Sequence, residues 1–495
     1  TGGKDRKINK EAFMSNFHSI VSRRDFMKAL GLAGAGVGTT TAVAPVFRDL
    51  DEVISTSAES DYANPWWVKE VDQPTTEIDW NKLQRFQKGS YNNFTAHLTT
   101  EEVKAIQVKT KQESIARMTS SSKPGQTLRD NAIKMGGWAG VRYRMTLPNL
   151  TKDLVEGWNT VPTPEMLGVP KWQGTPEEAS NMITQALRFF GASSVSFAEI
   201  NENTRKMIWA QMPQGTYPDI TFEEAPKPSF NSVSNKVIIP DTGIYAVVHT
   251  VRQSLDTSSR VGYLSDGAAG QAYDNCDIAQ WRLQAFLKVL GYFSVSQNIQ
   301  GNGPIVGWGV MSGLGEQGRL AHLITPGWGP MIRQSTMNIV NLPVAPKKPI
   351  DFGARKFCIT CKKCADLCPS GALSKETELT WDIVKPYDSV KPNLFNNPGL
   401  NNWPFDHFKC NRYWNESDTY CGVCQAVCVF SKDDASSVHE IVKATLAKTT
   451  MLNSFFVNMD KGFGYGLKPE DTIEEWWTNS FPVNGIHYDN DAYYN

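Results

Sequence analysis

Cys358-Ile359-Thr360-Cys361-Lys362-Lys363-Cys364-Ala365-Asp366-Leu367-Cys368-Pro369 decides how the rest of the chain is read. Its spacing, C-x2-C-x2-C-x3-C-P, wraps three thiolates around one [4Fe-4S] cluster and sends the fourth to a second cluster. A second half is therefore required, and Cys410 followed by Cys421-Gly422-Val423-Cys424-Gln425-Ala426-Val427-Cys428 supplies it. Eight of the nine cysteines fall in these two groups. A structural zinc site would use four ligands in paired C-x2-C units and leave the long run unexplained. Cys276, the ninth, reads as a small buried hydrophobe. The fourth cysteine of each run crosses to the other cluster in such modules. One cluster is then expected on Cys358, Cys361, Cys364 and Cys428, the other on Cys368, Cys410, Cys421 and Cys424. The second run departs from symmetry: ten residues part Cys410 from Cys421, and Val429 stands where proline is usual.

A chain of 495 residues has room for two or three domains with sizeable cores. Hydrophobic content of 40% with 20% charged residues describes an ordinary globular protein. Lys+Arg 50 against Asp+Glu 51 leaves a net charge of -1, which offers no broad footprint for nucleic acid.

Residues 1–13 precede the first methionine, Met14, and read as an upstream extension. Ser22-Arg23-Arg24-Asp25-Phe26-Met27-Lys28 then leads into the uncharged stretch Ala29 to Phe47. Twin arginines before a Gly/Ala-rich, weakly apolar segment predict a Tat export signal over 14–48. The bland alternative is a surface arginine pair before a short helix. No later stretch approaches the ~20 apolar residues of a membrane span, so peripheral attachment at the outer face of the cytoplasmic membrane is expected.

Residues 49–163 read as an irregular wrapping region with a helical patch around Glu101 to Arg117. An α/β domain is expected over 164–345. In it Thr175, Pro176 and Glu178 predict a capped helix, with Met182, Ile183, Ala186, Leu187 and Phe190 inward. Strands are expected at Ser194 to Ile200, Lys236 to Ile239 and Ile244 to Val251. A second helix should run from Asp277 to Leu290, with Ile278, Trp281, Phe286, Leu287 and Leu290 on one side and Gly291 ending it. The Gly- and Pro-rich stretch 301–330 cannot be helix throughout; it is either a close approach of backbone to a ligand or a linker. Residues 346–433 form the two-[4Fe-4S] ferredoxin-like domain, and 434–495 pack back on the body.

Twin-arginine leader, long α/β body and C-terminal two-cluster module together resemble the respiratory reductive dehalogenases of the Dehalococcoides type. Ser22–Lys28, Pro170–Pro176, Phe286–Tyr292 (FLKVLGY), Gly315–Arg319 (GEQGR) and Pro349–Pro369 carry the resemblance, which spans nearly the whole chain. It implies a nitroreductase-like corrinoid-binding domain, two [4Fe-4S] clusters and a corrinoid held without a protein histidine ligand. It also implies replacement of a carbon–halogen bond of a small organohalide by carbon–hydrogen, in anaerobic organohalide respiration. A small integral-membrane anchor protein and a membrane electron-transfer chain are the implied partners, with no nucleic acid. Unaided, the residues do not show a corrinoid: no Asp-x-His-x-x-Gly run exists, and Asp406-His407 is adjacent rather than spaced.

Carried over by position, the resemblance makes Tyr273 the proton donor and Arg333 the cation beside it, which would lower the phenol's pKa. A pocket asparagine falls near Asn298, with Asn302 competing in register. Taken alone, a tyrosine is more often a packing residue at a core edge, and an arginine more often a surface ion pair. Two other readings compete: a Tat-exported iron–sulfur electron-transfer subunit with no catalytic centre, and the related epoxyqueuosine reductase acting on tRNA. Some 300 residues ahead of the first cluster cysteine count against the former, the export signal and neutral charge against the latter.

Overall fold

The computed structural model describes residues 64–65, 67–85, 99–120, 124–127, 129–131, 134, 161–211, 218–296, 303–335, 337–383, 398–432, 437–448, 450–478 and 482–486. The export stretch within 1–63 lies outside them, as do Asn298, Asn302 and the end of the aromatic tail.

Helix α1, Pro176–Phe189, begins as its sequence dictates. The Thr175 hydroxyl accepts the Glu178 N–H at 3.2 Å and the Glu178 carboxylate accepts the Thr175 N–H at 2.8 Å, closing a capping box. It buries Ala179, Ile183 and Leu187 against a sheet whose pairings are all antiparallel. Strand β1, Ser194–Glu199, lines one edge of the central strand β2, Tyr245–Arg252. Helix α2, Gly262–Leu290, follows, then β3, Ser294–Val295. Strands β4, Ile332–Arg333, and β5, Met337–Val340, share the other edge of β2, and β3 pairs with β5. Antiparallel pairing makes the body α+β rather than a doubly wound α/β layer. The expected strand at Lys236 forms, but in a separate three-stranded sheet with Asp219–Glu223 and Ser229–Asn231.

Helix α2 starts fifteen residues before the expected Asp277. Its first half is rich in Gly and Ala and buried on all sides from Tyr263 to Gly270, so no amphipathic period marks it. The second half turns Cys276, Ala279, Leu283 and Leu287 inward, while Ile278, expected inside, is 37% exposed. Between β4 and β5 the chain gains one residue over its partner: Arg333 lies opposite Val251, but Met337 lies opposite Val248. This β-bulge lets Arg333 share the face of Val251, which packs on Ala272 and Cys276 of α2, while Met337 faces the opposite core layer.

The Gly-rich stretch after Gly303 folds into a helix, Ile305–Met311, and a two-stranded ribbon, Glu316–Gln317 with Leu323–Ile324. From the ribbon, the GEQGR segment grips both ends of the first cluster helix, α3 (Ala354–Cys361). Fully buried Glu316 accepts the Phe352 and Ala354 N–H groups at 3.0 and 2.9 Å, at the positive end of the helix dipole. Arg319, 1% exposed, donates to the carbonyls of Cys358 (3.0 and 2.9 Å) and Ile359 (3.1 Å) at the negative end. It also reaches Ser374 and Glu376 at 2.8 and 2.6 Å. Helices α4 (Lys363–Asp366), α5 (His407–Ser417) and α6 (Val423–Ala426) complete the cluster unit, around Phe352, Phe357 and Phe430.

Arg319→Lys keeps the charge but loses the planar fork that spans several carbonyls. It should cost about 3 kcal/mol, read as earlier thermal release of iron, whereas removing the exposed Lys356, paired with Asp351 on the same helix's approach, should change stability by less than about 0.5 kcal/mol. An Arg319→Lys protein that melts and holds iron like the parent would refute this role.

Candidate active site and cluster centres

Cysteines every three residues leave room only for short helices, and the structure turns these so that thiols from both runs interleave. Cys358 and Cys361 lie on α3, Cys364 on α4, Cys410 on α5 and Cys424 on α6, with Cys368, Cys421 and Cys428 beside them. Burial, then a neighbouring thiol, raises several of their pKa values. Cys361 is pushed up to about 12 by burial and Cys358, Cys410 to about 12 by burial, Cys421 and Cys368. Burial and then Cys358 and Cys361 raise Cys428 likewise. These neighbourhoods sort the eight into Cys358, Cys361, Cys364 and Cys428, and Cys368, Cys410, Cys421 and Cys424. The groups adjoin, since Cys424 also lies within reach of Cys364 and Cys428.

All four cysteines of the second group, with His322, Trp414 and Tyr420, line one cavity of about 180 Å³. Among the described residues, no three metal-ligating side chains come close enough to share a single ion. Thiolates that each hold a different iron of a cluster stand further apart than ligands of one ion. Cations surround the first group: Arg319 and Arg355 beside Cys358, Lys363 beside Cys361, Lys432 beside Cys428. Buried Asp460 joins Lys363 and Lys432 (2.6 Å to the latter). Cys276 lies apart from these, fully buried on α2, where it accepts the Ser335 N–H at 3.3 Å beside His249.

Tyr273 and Arg333, 60 residues apart in sequence, meet where α2 crosses β4. The guanidinium carbon stands 4.7 Å from the Tyr273 ring and 5.5 Å from that of Tyr420, whose ring meets Tyr273 edge-on at 6.4 Å. Arg333 donates to the side-chain carbonyls of Gln253 and, at 3.3 Å, Gln425. Burial opposes its charge, yet Tyr273, Tyr420 and Cys424 hold its pKa above the ordinary arginine value. Burial and then this cation lower His322 to about 4. Gly422 allows the second cluster turn to lie against α2, for a Cβ there would come 2.7 Å from Ser265 Oγ. Sequence reading missed Tyr420, Gln425, Gln253 and His322; the first two flank the Cys421–Cys424 turn, and that adjacency was the available signal.

Among the described residues, helix α2 and the sheet segments β2, β4 and β5 beside it also hold buried polar atoms without a protein partner. They are both amide atoms of Gln280 and Gln334, Asn338 Oδ1, His249 Nδ1, Ser265 Oγ and Arg333 Nε. Leaving such a group unpaired costs about 1–3 kcal/mol, so a polar ligand is the economical explanation.

A family model described as "Reductive dehalogenase subunit" matches residues 63–337, and one described as "4Fe-4S double cluster binding domain" matches 357–431. The chloroethene reductive dehalogenase of Dehalococcoides mccartyi (strain VS) is 32% identical over 544 aligned residues, covering 96% of this chain and 99% of that protein. A trichloroethene reductive dehalogenase from another strain of that species is 30% identical, with 96% and 99% covered. In fold the chain is similar to a solved reductive dehalogenase described as B12-dependent, with TM-score 0.57 and 19% identity. That likeness covers 88% of this chain but 55% of the solved one, so the chain spans about half the length of that protein. A dehalogenase body followed by a double-cluster domain, matched end to end by such relatives, places the chain in the family of reductive dehalogenases.

Proposed function

We propose that Tyr273 and Arg333 are the acid and the cation of reductive dehalogenation, R–X + 2 e⁻ + H⁺ → R–H + X⁻. The observation that carries this reading is the contact between the two, with Arg333 buried and tied through Gln425 to the cluster-binding turn. Tyr273 gives its hydroxyl proton to the carbon that loses halide. Arg333 stabilises both the phenolate left behind and the departing anion. The dehalogenase-subunit match ahead of the clusters disfavours an electron-transfer subunit without a catalytic centre.

The thiol neighbourhoods support the crossed ligand sets, Cys358, Cys361, Cys364 and Cys428 for one cluster and Cys368, Cys410, Cys421 and Cys424 for the other. The residues also fit a corrinoid. Its rim of carboxamides matches the unpartnered amides of Gln280 and Gln334, Asn338 Oδ1 and the Ser265 hydroxyl, with no protein histidine proposed as a cobalt ligand. Bound there, a corrinoid would supply low-valent metal chemistry for reduction of the carbon–halogen bond. Relatives named for chloroethenes make a short chlorinated alkene the first substrate to test.

An antiparallel sheet under a long buried helix supports the nitroreductase-like description of the body, with boundaries near 164–345 and 346–433. Export by the Tat route, and attachment to the outer face of the cytoplasmic membrane through a small anchor protein and its electron-transfer chain, rest on Arg23-Arg24 and the resemblance. Among the described residues no helix is long and apolar enough to cross a membrane.

Prepared anaerobically from Met14 onward with corrinoid supplied, the protein should hold one cobalt and about eight irons per chain. Eight irons without cobalt would argue for electron transfer alone. Cys410→Ala should remove about four irons, while Cys276→Ala keeps all of them. Iron counts that ignore Cys410 but follow Cys276 would break the ligand assignment. Tyr273→Phe should lower the rate at least about 100-fold at unchanged metal content; a parental rate would remove Tyr273 from the chemistry.

A further inference from the structure

Arg333 reaches its place through side chains that other segments supply. Its Nη2 donates to Gln253 Oε1 and to Gln425 Oε1. Neither amide is free to turn, because Gln253 Nε2 donates to Ser258 Oγ at 2.9 Å and Gln425 Nε2 donates to the Pro330 carbonyl at 3.0 Å. Each therefore presents oxygen to the guanidinium.

Tyr420 comes from the opposite end of the same turn. One side of its ring packs on Trp414 of α5 at 4.5 Å, and the ring meets Tyr273 at 88°. Its hydroxyl is hydrogen-bonded with Tyr273 and with Arg333. Tyr420 immediately precedes Cys421, and Gln425 immediately follows Cys424. The two-residue gap of the C-x-x-C turn thus delivers both side chains to one guanidinium.

We propose that Tyr420 and Gln425 are positioning residues for the Tyr273–Arg333 pair, so that the turn binding the second cluster also sets the geometry of the proton donor. The proposal rests on the reading of Tyr273 as that donor. A phenol free to swing, or a cation shifted by an ångström, leaves binding of substrate intact but misplaces the proton at the moment of transfer. Loss of either residue should therefore fall on kcat rather than KM.

The test uses the holoenzyme with both clusters and corrinoid, turning over a chlorinated ethene with a reduced dye as donor. Tyr420→Phe should lower kcat at least about tenfold with KM within about threefold of the parent, at parental iron, cobalt and reduced-cluster EPR signals. Combined with Tyr273→Phe it should cost less than about twofold more, because a residue acting through Tyr273 has nothing left to position. Gln425→Met, of similar volume, should show the same split of kcat from KM, and stands in if Tyr420→Phe fails to load its clusters. A parental kcat in a fully loaded variant, or losses that multiply in the double variant, overturns the proposal. A fully active Tyr273→Phe protein is a different result: it removes the donor on which the proposal rests, whatever Tyr420 does.

Discussion

A guanidinium only 3% exposed must have its charge balanced by protein, since water is no longer there to do it. For Arg333 that balance comes from two amide carbonyls, two phenol rings and the neighbouring Cys424. None of these partners lies near Arg333 in sequence. Gln253 directly follows strand β2, Tyr273 sits inside α2, and Tyr420, Cys424 and Gln425 belong to the cluster unit. The buried charge is therefore satisfied only when sheet, helix and cluster turn are all assembled. Removing one partner of such a group leaves the remaining charge stranded, which costs far more than the contact itself.

A second arginine does the same work at the first cysteine run. Arg319 holds the carbonyl end of α3 while Glu316, three residues earlier, holds its amide end. Opposite charges on opposite ends of one short helix match its dipole, and both side chains come from a ribbon of the body. Each run of cluster cysteines is thus fixed to the catalytic body by its own buried arginine. This is what a relay of electrons into a closed site requires: separations set by packing rather than by a hinge.

The double-cluster domain was legible because metal chemistry dictates cysteine spacing along the chain, whatever the surrounding fold. Helix α1 was legible too, since its cap and period are both local. Tyr273 was not readable from pattern, because the half of α2 that leads to it is buried on every side and carries no polar face. The same blindness put Ile278 inside, where the true inward stripe runs through Cys276, Ala279, Leu283 and Leu287. Arg333 depended on a bulge between β4 and β5, a one-residue slip in register that no single-strand pattern contains. Glu316 and Arg319 carried a signal: two charges each directly after one of two closely set glycines, in a stretch too constrained for ordinary surface. Tyr420 and Gln425 carried a weaker one, adjacency to ligands, which gains meaning only once α2 is known to pass the same turn.

The position of Arg333 also answers a problem of charge. On the proposed roles, two electrons enter through the clusters, one negative charge leaves as halide, and the other is met by a proton from Tyr273. In a closed site each of these steps would otherwise strand a charge in a medium of low dielectric. A fixed cation between the cluster turn and the phenol faces the incoming electrons from one side and the nascent phenolate from the other. At about 5 Å and an effective dielectric of about 20, one such contact is worth ~3 kcal/mol. Arginine suits the task because its charge does not depend on the proton being moved: lysine could itself deprotonate in so buried a place, whereas guanidinium stays charged through every step.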